Sequence, residues 1–333
     1  MQIYLNAIFN HFRALQAWAA DKDAKLALDV KTFEIEVKFR GRYFTMHPMF
    51  QARADGRAVH SSVLTQSTIG FGGWRPYPSI RHPYSTDKRL FKSFLKESGL
   101  STPASLPSGA AVAAPDFDYI LKGAVGSFGK EIAGPFRAGS PIPDDIGKEA
   151  GDREKVFVEA YIHGRILKVW FWGGKPFFAH AHDYPLITGD DVRTVERLVR
   201  DKVTGGGQDW DKDVDRDIVM ACLRFQNVDW HAVLPAGQTR WIDYRYSQRY
   251  ERNFGVTPHT DNALPELVAK SGDQTDRMGT ALVSLLRQAF PVPVMISVDG
   301  MLDEKGNIWW LEMNTNSIVP PEAYATMFSD LFY

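Results

Sequence analysis

The chain has almost no cysteine and no long hydrophobic run. Its 333 residues contain one cysteine, so no disulfide can form within it, which suits a reducing compartment. No apolar stretch approaches the roughly 18 residues that cross a bilayer. The first residues, Met1–Tyr4, lack the basic segment of a secretory signal. We therefore expect a cytoplasmic protein without a membrane partner.

An excess of one charge is also missing. Lysine and arginine number 39, and aspartate and glutamate number 40, which gives a net charge of −1. This balance excludes attraction of nucleic acid by the whole surface, although a local basic groove stays open. Aromatic residues make up 13% of the chain, which excludes intrinsic disorder as its overall state. The length favours two domains, or one large domain with lobes.

Local patterns predict a mixture of helices and strands. Apolar residues at helical spacing predict a helix from Ile8 to Ala19, and alternation predicts a strand from Phe33 to Phe39 with a returning strand after it. Glycine and proline make residues 69–78 a predicted loop, which places a domain boundary near residue 85. A further helix is predicted from Asp87 to Ser98.

A glycine-rich segment, Lys122 to Lys130, follows a short apolar strand. Glycines let the backbone approach a phosphate, and lysines neutralise the phosphate charge. The segment is not a Walker A motif, because Gly123 and Gly129 are one residue too far apart and Glu131 stands where Ser or Thr would bind magnesium. A phosphate-binding loop and a plain glycine-rich hairpin both stay open.

Three side chains with oxygen donors, Asp299, Glu312 and Asn314, occupy two predicted strands joined by a turn at 303–306. Glu312 and Asn314 are two residues apart and so leave the same face of their strand, and the hairpin brings Asp299 beside them. Three oxygen ligands on one face suit Mg²⁺. A solvated polar face is the alternative, but the apolar residues of this hairpin predict burial, and a buried glutamate needs a partner.

Five groupings stand in order along the chain. They are Asp87-Lys88 with the helix end at 99–103, Lys122 with 126–130, the stretch 158–165, the stretch 187–195, and the trio Asp299, Glu312 and Asn314. In this order they resemble the ATP-grasp superfamily of carboxylate–amine ligases, in the style of its cyanophycin synthetase and glutathione synthetase-like branches, in which 158–165 would be the hinge strand whose backbone holds adenine. The resemblance implies an α+β ATP-grasp fold with two α/β lobes gripping ATP. The small lobe would span residues 86–162 and the large lobe with the metal site residues 163–333, preceded by a short α/β substrate or lead domain at 1–85.

The resemblance also implies ATP and two Mg²⁺ as cofactors, with Mn²⁺ as an alternative ion. Asp299, Glu312 and Asn314 would be the metal ligands. Ile166 stands where the family often has an acid for the ribose, and Asn316 where a proline often follows the metal-binding asparagine. The ribose contact and the acyl-substrate pocket are therefore unassigned. The implied nucleotide contacts are Lys88, Lys122, Gly126, Ser127, Phe128, Gly129, Glu159, Ala160, Ile162 and Lys168, the last replacing a common arginine.

A basic and aromatic segment runs from Arg240 to Arg252. The resemblance places it near the transferred phosphate and the substrates. The catalytic candidates are Lys122, Arg245 for charge stabilisation and Arg249 for a substrate carboxylate. A surface strand with stacked arginine and tyrosine is the alternative, and a nucleic-acid groove is a further one.

Two other features have plain alternatives. His180 and His182 share one strand face. A zinc site there would need a third ligand, and none is evident in the sequence, so ordinary histidines are favoured. Cys222 lies on an apolar helix face, which predicts an inert buried thiol.

The resemblance therefore implies an ATP- and Mg²⁺-dependent ligase that activates a carboxylate as an acyl phosphate and joins it to an amine. Its partners would be amino acids or peptides, with no nucleic acid, and a homodimer is the habit of the family. Three alternatives stay open: modification of a ribosomally made precursor peptide, a nucleotide-binding relic without chemistry, and phosphotransfer to a hydroxyl group.

Overall fold

The computed structural model describes residues 2–54, 57–107, 114–125, 132–143, 156–245, 250, 262–290 and 293–332. Its helices and antiparallel sheets confirm the predicted α+β class. The helices are α1 (Gln2–Lys22), α2 (Pro83–Thr86), α3 (Lys88–Glu97), α4 (Val195–Gly205), α5 (Arg216–Phe225), α6 (Leu264–Ser271), α7 (Gln274–Ala289) and α8 (Ala323–Phe332). The strands are β1 (Lys25–Leu28), β2 (Ile35–Phe39), β3 (Arg42–Ala54), β4 (Arg57–Ser61), β5 (Thr68–Arg75), β6 (Ser105–Pro107), β7 (Tyr119–Gly123), β8 (Ile132–Phe136), β9 (Val156–Ala160), β10 (Arg165–Trp172), β11 (Lys175–His182), β12 (Leu186–Thr188), β13 (Thr239–Trp241), β14 (Met295–Leu302) and β15 (Ile308–Asn314).

The first sheet has the order β1-β2-β3-β4, with β5 also paired to β3. The predicted hairpin is β2 with the first part of β3. The predicted loop at 69–78 is wrong over most of its length, because Thr68–Arg75 form a strand that pairs with β3. Phe71 and Trp74 of this strand are buried in the core, while a side chain at Gly72 would collide with a methionine of β3. Glycine therefore serves close strand packing here rather than a loop.

Two further antiparallel sheets carry the motif residues. The second sheet has the order β6-β9-β7-β8, and the third has the order β11-β10-β14-β15. Lys122 lies on β7, Lys168 on β10, Asp299 on β14 and Glu312 on β15. The predicted turn at 303–306 joins β14 to β15. The candidate metal ligands and the candidate phosphate lysine therefore belong to different sheets.

One hydrophobic core joins the N-terminal region to the third sheet. It contains apolar residues of α1, β2, β3 and β5 together with residues of β10, β14, β15 and α8. The ring centroids of Trp18 in α1 and Phe328 in α8, for example, lie 4.3 Å apart. The N-terminal region thus shares its core with the third sheet, and the domain boundaries at 1–85, 86–162 and 163–333 stay predictions.

None of the described helices is both long and apolar enough to span a bilayer.

A buried histidine in this core makes stability depend on pH. His11 is 4% exposed, its Nδ1 lies 2.9 Å from the hydroxyl of Tyr324, and that hydroxyl accepts a hydrogen bond from Trp74 N at 3.0 Å. Burial lowers the pKa of His11 from 6.5 to about 3. Between these values the unfolded chain binds a proton that the folded chain excludes, so stability falls as pH falls, by about 1.4 kcal/mol per pH unit.

Urea unfolding at about pH 7 and about pH 5 tests this dependence. We expect the wild type to lose about 2 kcal/mol through His11 between the two conditions. The variant His11→Gln should lose less by that amount, whatever its stability at neutral pH. Equal losses in the two proteins would show that His11 does not exclude its proton.

Candidate functional site

Three charged side chains line up across the third sheet. Lys168, Asp299 and Glu312 are paired residues on adjacent strands, so their side chains leave the same face. Lys168 Nζ lies 2.6 Å from Asp299 Oδ1, and Asn314 Nδ2 donates to Asp299 Oδ2 at 2.9 Å. The structure therefore brings Asp299, Glu312 and Asn314 together on one face.

The two carboxylates of this row differ in their titration. Burial raises the pKa of Asp299 to about 6, with Lys168 opposing the shift and Glu312 adding to it. Burial acts on Glu312 too, but the lysines around it outweigh this effect and its pKa is lowered. A divalent cation would relieve the repulsion between the carboxylates, and carboxylate and amide oxygens are donors that Mg²⁺ accepts. The residues therefore fit the predicted metal.

Two lysines approach the row from outside the third sheet. Lys88 Nζ lies 3.4 Å from Glu312 Oε2. Lys88 N donates to Ala124 O at 2.9 Å, which ties the start of α3 to the residue that follows β7. Lys122 on β7 is buried. Burial lowers its pKa, but the negative charges of Glu159 and Glu312 raise it by more, so the net shift is upward. Lysines suited to phosphate oxygens thus face carboxylates suited to a metal.

The side chain of Glu159 is engaged by two lysines, and the predicted contact of adenine with the backbone of this hinge strand stays a prediction. The Glu159 carboxylate is 1% exposed, and its oxygens lie 2.9 Å from Lys122 Nζ and 2.7 Å from Lys92 Nζ. Burial raises the pKa of Glu159, but the two lysines lower it by more. Glu159 is therefore the counter-ion that allows two lysines to be buried together.

Lys92, the second lysine paired with Glu159, is a residue of the candidate site that the sequence interpretation missed. Its side chain is 3% exposed, and its Nζ also donates to Thr102 Oγ1 at 3.0 Å and to Pro103 O at 3.1 Å. A signal was present, because Lys92 falls on the buried face of α3 with Phe91 and Leu95. A lysine on the apolar face of a helix needs a buried acid or carbonyl partner.

An apolar cluster joins the second and third sheets beside the row. Ile166, where the family often has an acid, is buried in this cluster. Ile162 packs against it, in surroundings that suit the flat face of a nucleotide base. The backbone N–H of Ala160 instead donates to Ala104 O at 2.8 Å. The apolar side chains of the cluster include Ile120, Ile162, Ile166, Met301 and Leu311.

Arg245 is paired with two carboxylates, which the sequence interpretation did not foresee. Its Nε and Nη2 donate to Asp243 at 3.1 and 3.0 Å, and its Nη1 donates to Asp215 at 2.8 Å. Asp215 also caps helix α5. Burial lowers the pKa of Arg245, but its bonds to Asp243 and Asp215 raise it more. This geometry ties α5 to the segment after β13, and the role of Arg245 in charge stabilisation stays a prediction.

The other residues singled out in the sequence lie beside the row of Lys168, Asp299 and Glu312 or away from it. His180 lies beside the row, because it pairs with Lys168 on the next strand. Within the described part of the chain, no three His, Cys, Asp or Glu side chains are placed to hold a metal ion together. Cys222 is buried, which raises the pKa of its thiol. The candidates Gly126, Ser127, Phe128, Gly129 and Arg249 lie outside the described residues.

Comparison with known proteins gives similarities of fold. No protein-family model and no curated protein matches the chain. Among solved structures, it is similar to a bifunctional glutathione synthetase from Pasteurella multocida, with 14% identity, a TM-score of 0.44, and coverage of 96% of this chain and 43% of that one. A D-alanine–D-alanine ligase from Bacillus anthracis matches with 14% identity and a TM-score of 0.37, over 74% of this chain and 63% of that one.

A structure of the ATP-grasp ligase PsnB complexed with a minimal precursor also matches, with 12% identity and a TM-score of 0.32, over 75% of this chain and 62% of that one. The chain thus spans 43 to 63% of the length of these three structures. These three structures are of one synthetase and two ligases.

Proposed function

We propose that this chain is an ATP- and Mg²⁺-dependent carbon–nitrogen ligase of the ATP-grasp kind. The observation that supports it best is the pairing of Lys88 with Glu312 at 3.4 Å, beside Asp299, with the charge of Lys122 also acting on Glu312. Carboxylates hold Mg²⁺, and lysines bind phosphate oxygens. The two sets together suit a metal–triphosphate, whereas either set alone would suit many ligands. The ordered sequence motifs supply the reaction class.

Each group has a distinct proposed role. Lys88 and Lys122 bind phosphate oxygens of ATP and stabilise the charge of the transferred group. Asp299, Glu312 and Asn314 hold Mg²⁺, which neutralises phosphate charge when it is bound. The apolar cluster binds the base of ATP. The reaction also requires that water be excluded from the reacting groups, because water would hydrolyse an acyl phosphate.

The proposed reaction has two steps. An oxygen of the substrate carboxylate attacks the γ-phosphorus of ATP, the bond to the β-phosphate oxygen breaks, and ADP leaves. The amine nitrogen then attacks the acyl carbon, phosphate leaves, and the nitrogen loses a proton. We propose amino acids or peptides as the substrates. A ribosomally made precursor peptide is the alternative substrate, and it would react through the same two steps.

A substrate panel tests this proposal. The chain is incubated with ATP, Mg²⁺ and pairs of amino acids or short peptides, and ADP and product mass are followed together. We expect repeated turnover of ATP to ADP only when a carboxylate and an amine are both present, with a product lighter than its components by one water. A stable phosphate ester of a hydroxyl group, as opposed to the acyl phosphate of the first step, would contradict the ligase if it formed without an amine. Nucleotide binding without ADP in any reaction would contradict the proposed amino-acid and short-peptide substrates.

A further inference from the structure

The loop that follows Asn314 is held by the N-terminal region. Val319 N donates to Gly72 O of β5 at 2.8 Å. At the other end of the loop, Thr315 Oγ1 donates to Ile80 O at 3.2 Å. The N-terminal region therefore contacts both ends of the loop that begins at a proposed metal ligand.

Asn316 makes the central contact of this loop. Its Nδ2 donates to Ile80 O at 2.7 Å, and its Oδ1 accepts from Ile80 N at 3.3 Å and from Arg75 Nη1 at 3.0 Å. The bond from the guanidinium is charge-assisted and so stronger than a neutral one. A proline, which the ATP-grasp pattern often has here, could make none of these side-chain bonds. The contact is therefore a feature of this sequence.

Arg75 is a buried cation held by neutral groups. It is 1% exposed, its Nη1 also donates to Thr315 O at 3.2 Å, and its Cζ lies 5.3 Å from the ring centroid of Tyr77. In the described part of the chain, its hydrogen-bond acceptors carry no charge, and its Nε has no acceptor. Burying a guanidinium in this way costs free energy. Proteins tolerate such costs mainly at functional sites.

We infer that Arg75 and Asn316 are positioning residues for the metal ligand Asn314, an inference that rests on the proposed function. They fix the loop at Thr315 and Asn316 to the segment that leads into α3. The same segment carries Lys88 at the start of that helix. One clamp thus aligns a metal ligand and a phosphate lysine, and the N-terminal region is part of the metal site.

Gln274 offers a matched control for Asn316. Its Nε2 donates to Ser271 O at 2.8 Å and to Gly306 O at 2.9 Å, and its Oε1 accepts from Ile308 N at 2.8 Å. Its amide therefore makes as many hydrogen bonds as that of Asn316. It holds the opposite end of β15, away from Asn314.

The test measures the Mg²⁺ concentration that gives half of the thermal stabilisation by ADP. We expect Asn316→Ala and Arg75→Met to need at least about tenfold more Mg²⁺ than the wild type, a change of about 1.4 kcal/mol. Gln274→Ala should stay within about twofold of the wild type. Arg75→Lys keeps the charge but lacks the guanidinium that donates to Thr315 and Asn316. The Mg²⁺ concentration that it needs should lie between those of the wild type and Arg75→Met. Arg75→Lys also serves as the readout if Arg75→Met does not fold.

The outcomes separate this inference from the proposed function. If the wild type shows no Mg²⁺-dependent binding of ADP, the proposed function fails. If the wild type does show it, and Asn316→Ala and Arg75→Lys need no more Mg²⁺ than Gln274→Ala, the positioning role is wrong and the metal site stands.

Discussion

Replacing Glu312 with glutamine is expected to lower ADP formation by at least about 100-fold and to remove the dependence of nucleotide binding on Mg²⁺. Glu312 carries a negative charge at neutral pH, because the lysines around it lower its pKa. Without that charge, the site attracts a divalent cation less. Lys88 and Lys122 also lose an acidic neighbour, so binding of metal-free ADP should become as tight as in the wild type or tighter.

Isothermal titration with ADP, in Mg²⁺ and in EDTA, measures both effects. Glu266→Gln is the matched control, because Glu266 is a surface carboxylate that pairs with Arg165 and Lys270 at 2.8 Å each. It should leave the Mg²⁺ dependence unchanged. Glutamine keeps the shape of the side chain at position 312, which is 30% exposed, so the melting temperature should change little. A Glu312→Gln protein that still needs Mg²⁺ as the wild type does would remove Glu312 from the metal site.

The hairpin that carries the candidate metal ligands could be predicted because its geometry is local. Strand alternation places Glu312 and Asn314 on one face, and a turn with Gly306 at φ +83° returns the chain so that Asp299 lies opposite Glu312. Nothing distant in the sequence is needed for this arrangement. The start of α3 could be predicted to within one residue for the same reason. The pattern predicts Thr86 as the cap and a helix from Asp87, whereas the side chain of Asp87 is itself the cap and the helix begins at Lys88.

The remaining features depend on partners far away in the sequence. Residues 68–75 contain three glycines and became a strand because β3 pairs with them and the core covers Phe71 and Trp74. Arg75 and Asn316 are 241 residues apart, so no local sequence pattern predicts that their side chains meet. The glycine and proline content of residues 69–78 predicts a loop, because these residues are common in loops. Pairing with β3 outweighs that local preference.

Removing Glu159 is expected to damage the fold more than removing Lys122, although Lys122 is the residue assigned to phosphate. The Lys92, Glu159 and Lys122 side chains are 3%, 1% and 5% exposed. Lys122→Met leaves Lys92 and Glu159 as a balanced pair, so we expect it to cost less than about 2 kcal/mol. Glu159→Gln leaves two buried lysines without their shared counter-ion, which should cost about 3–5 kcal/mol. Urea unfolding at neutral pH measures both.

Activity should rank these variants in a different order, which separates folding from chemistry. Lys122→Met should lose ADP formation by at least about 100-fold while it stays folded. Replacing all three residues by methionine removes the three buried charges of this group, and such exchanges are often neutral for stability. We therefore expect the triple variant to be more stable than Glu159→Gln and still inactive. If Lys122→Met were the less stable single variant, the charges would not be balanced through Glu159. If the triple variant formed ADP, Lys122 would have no role in binding phosphate.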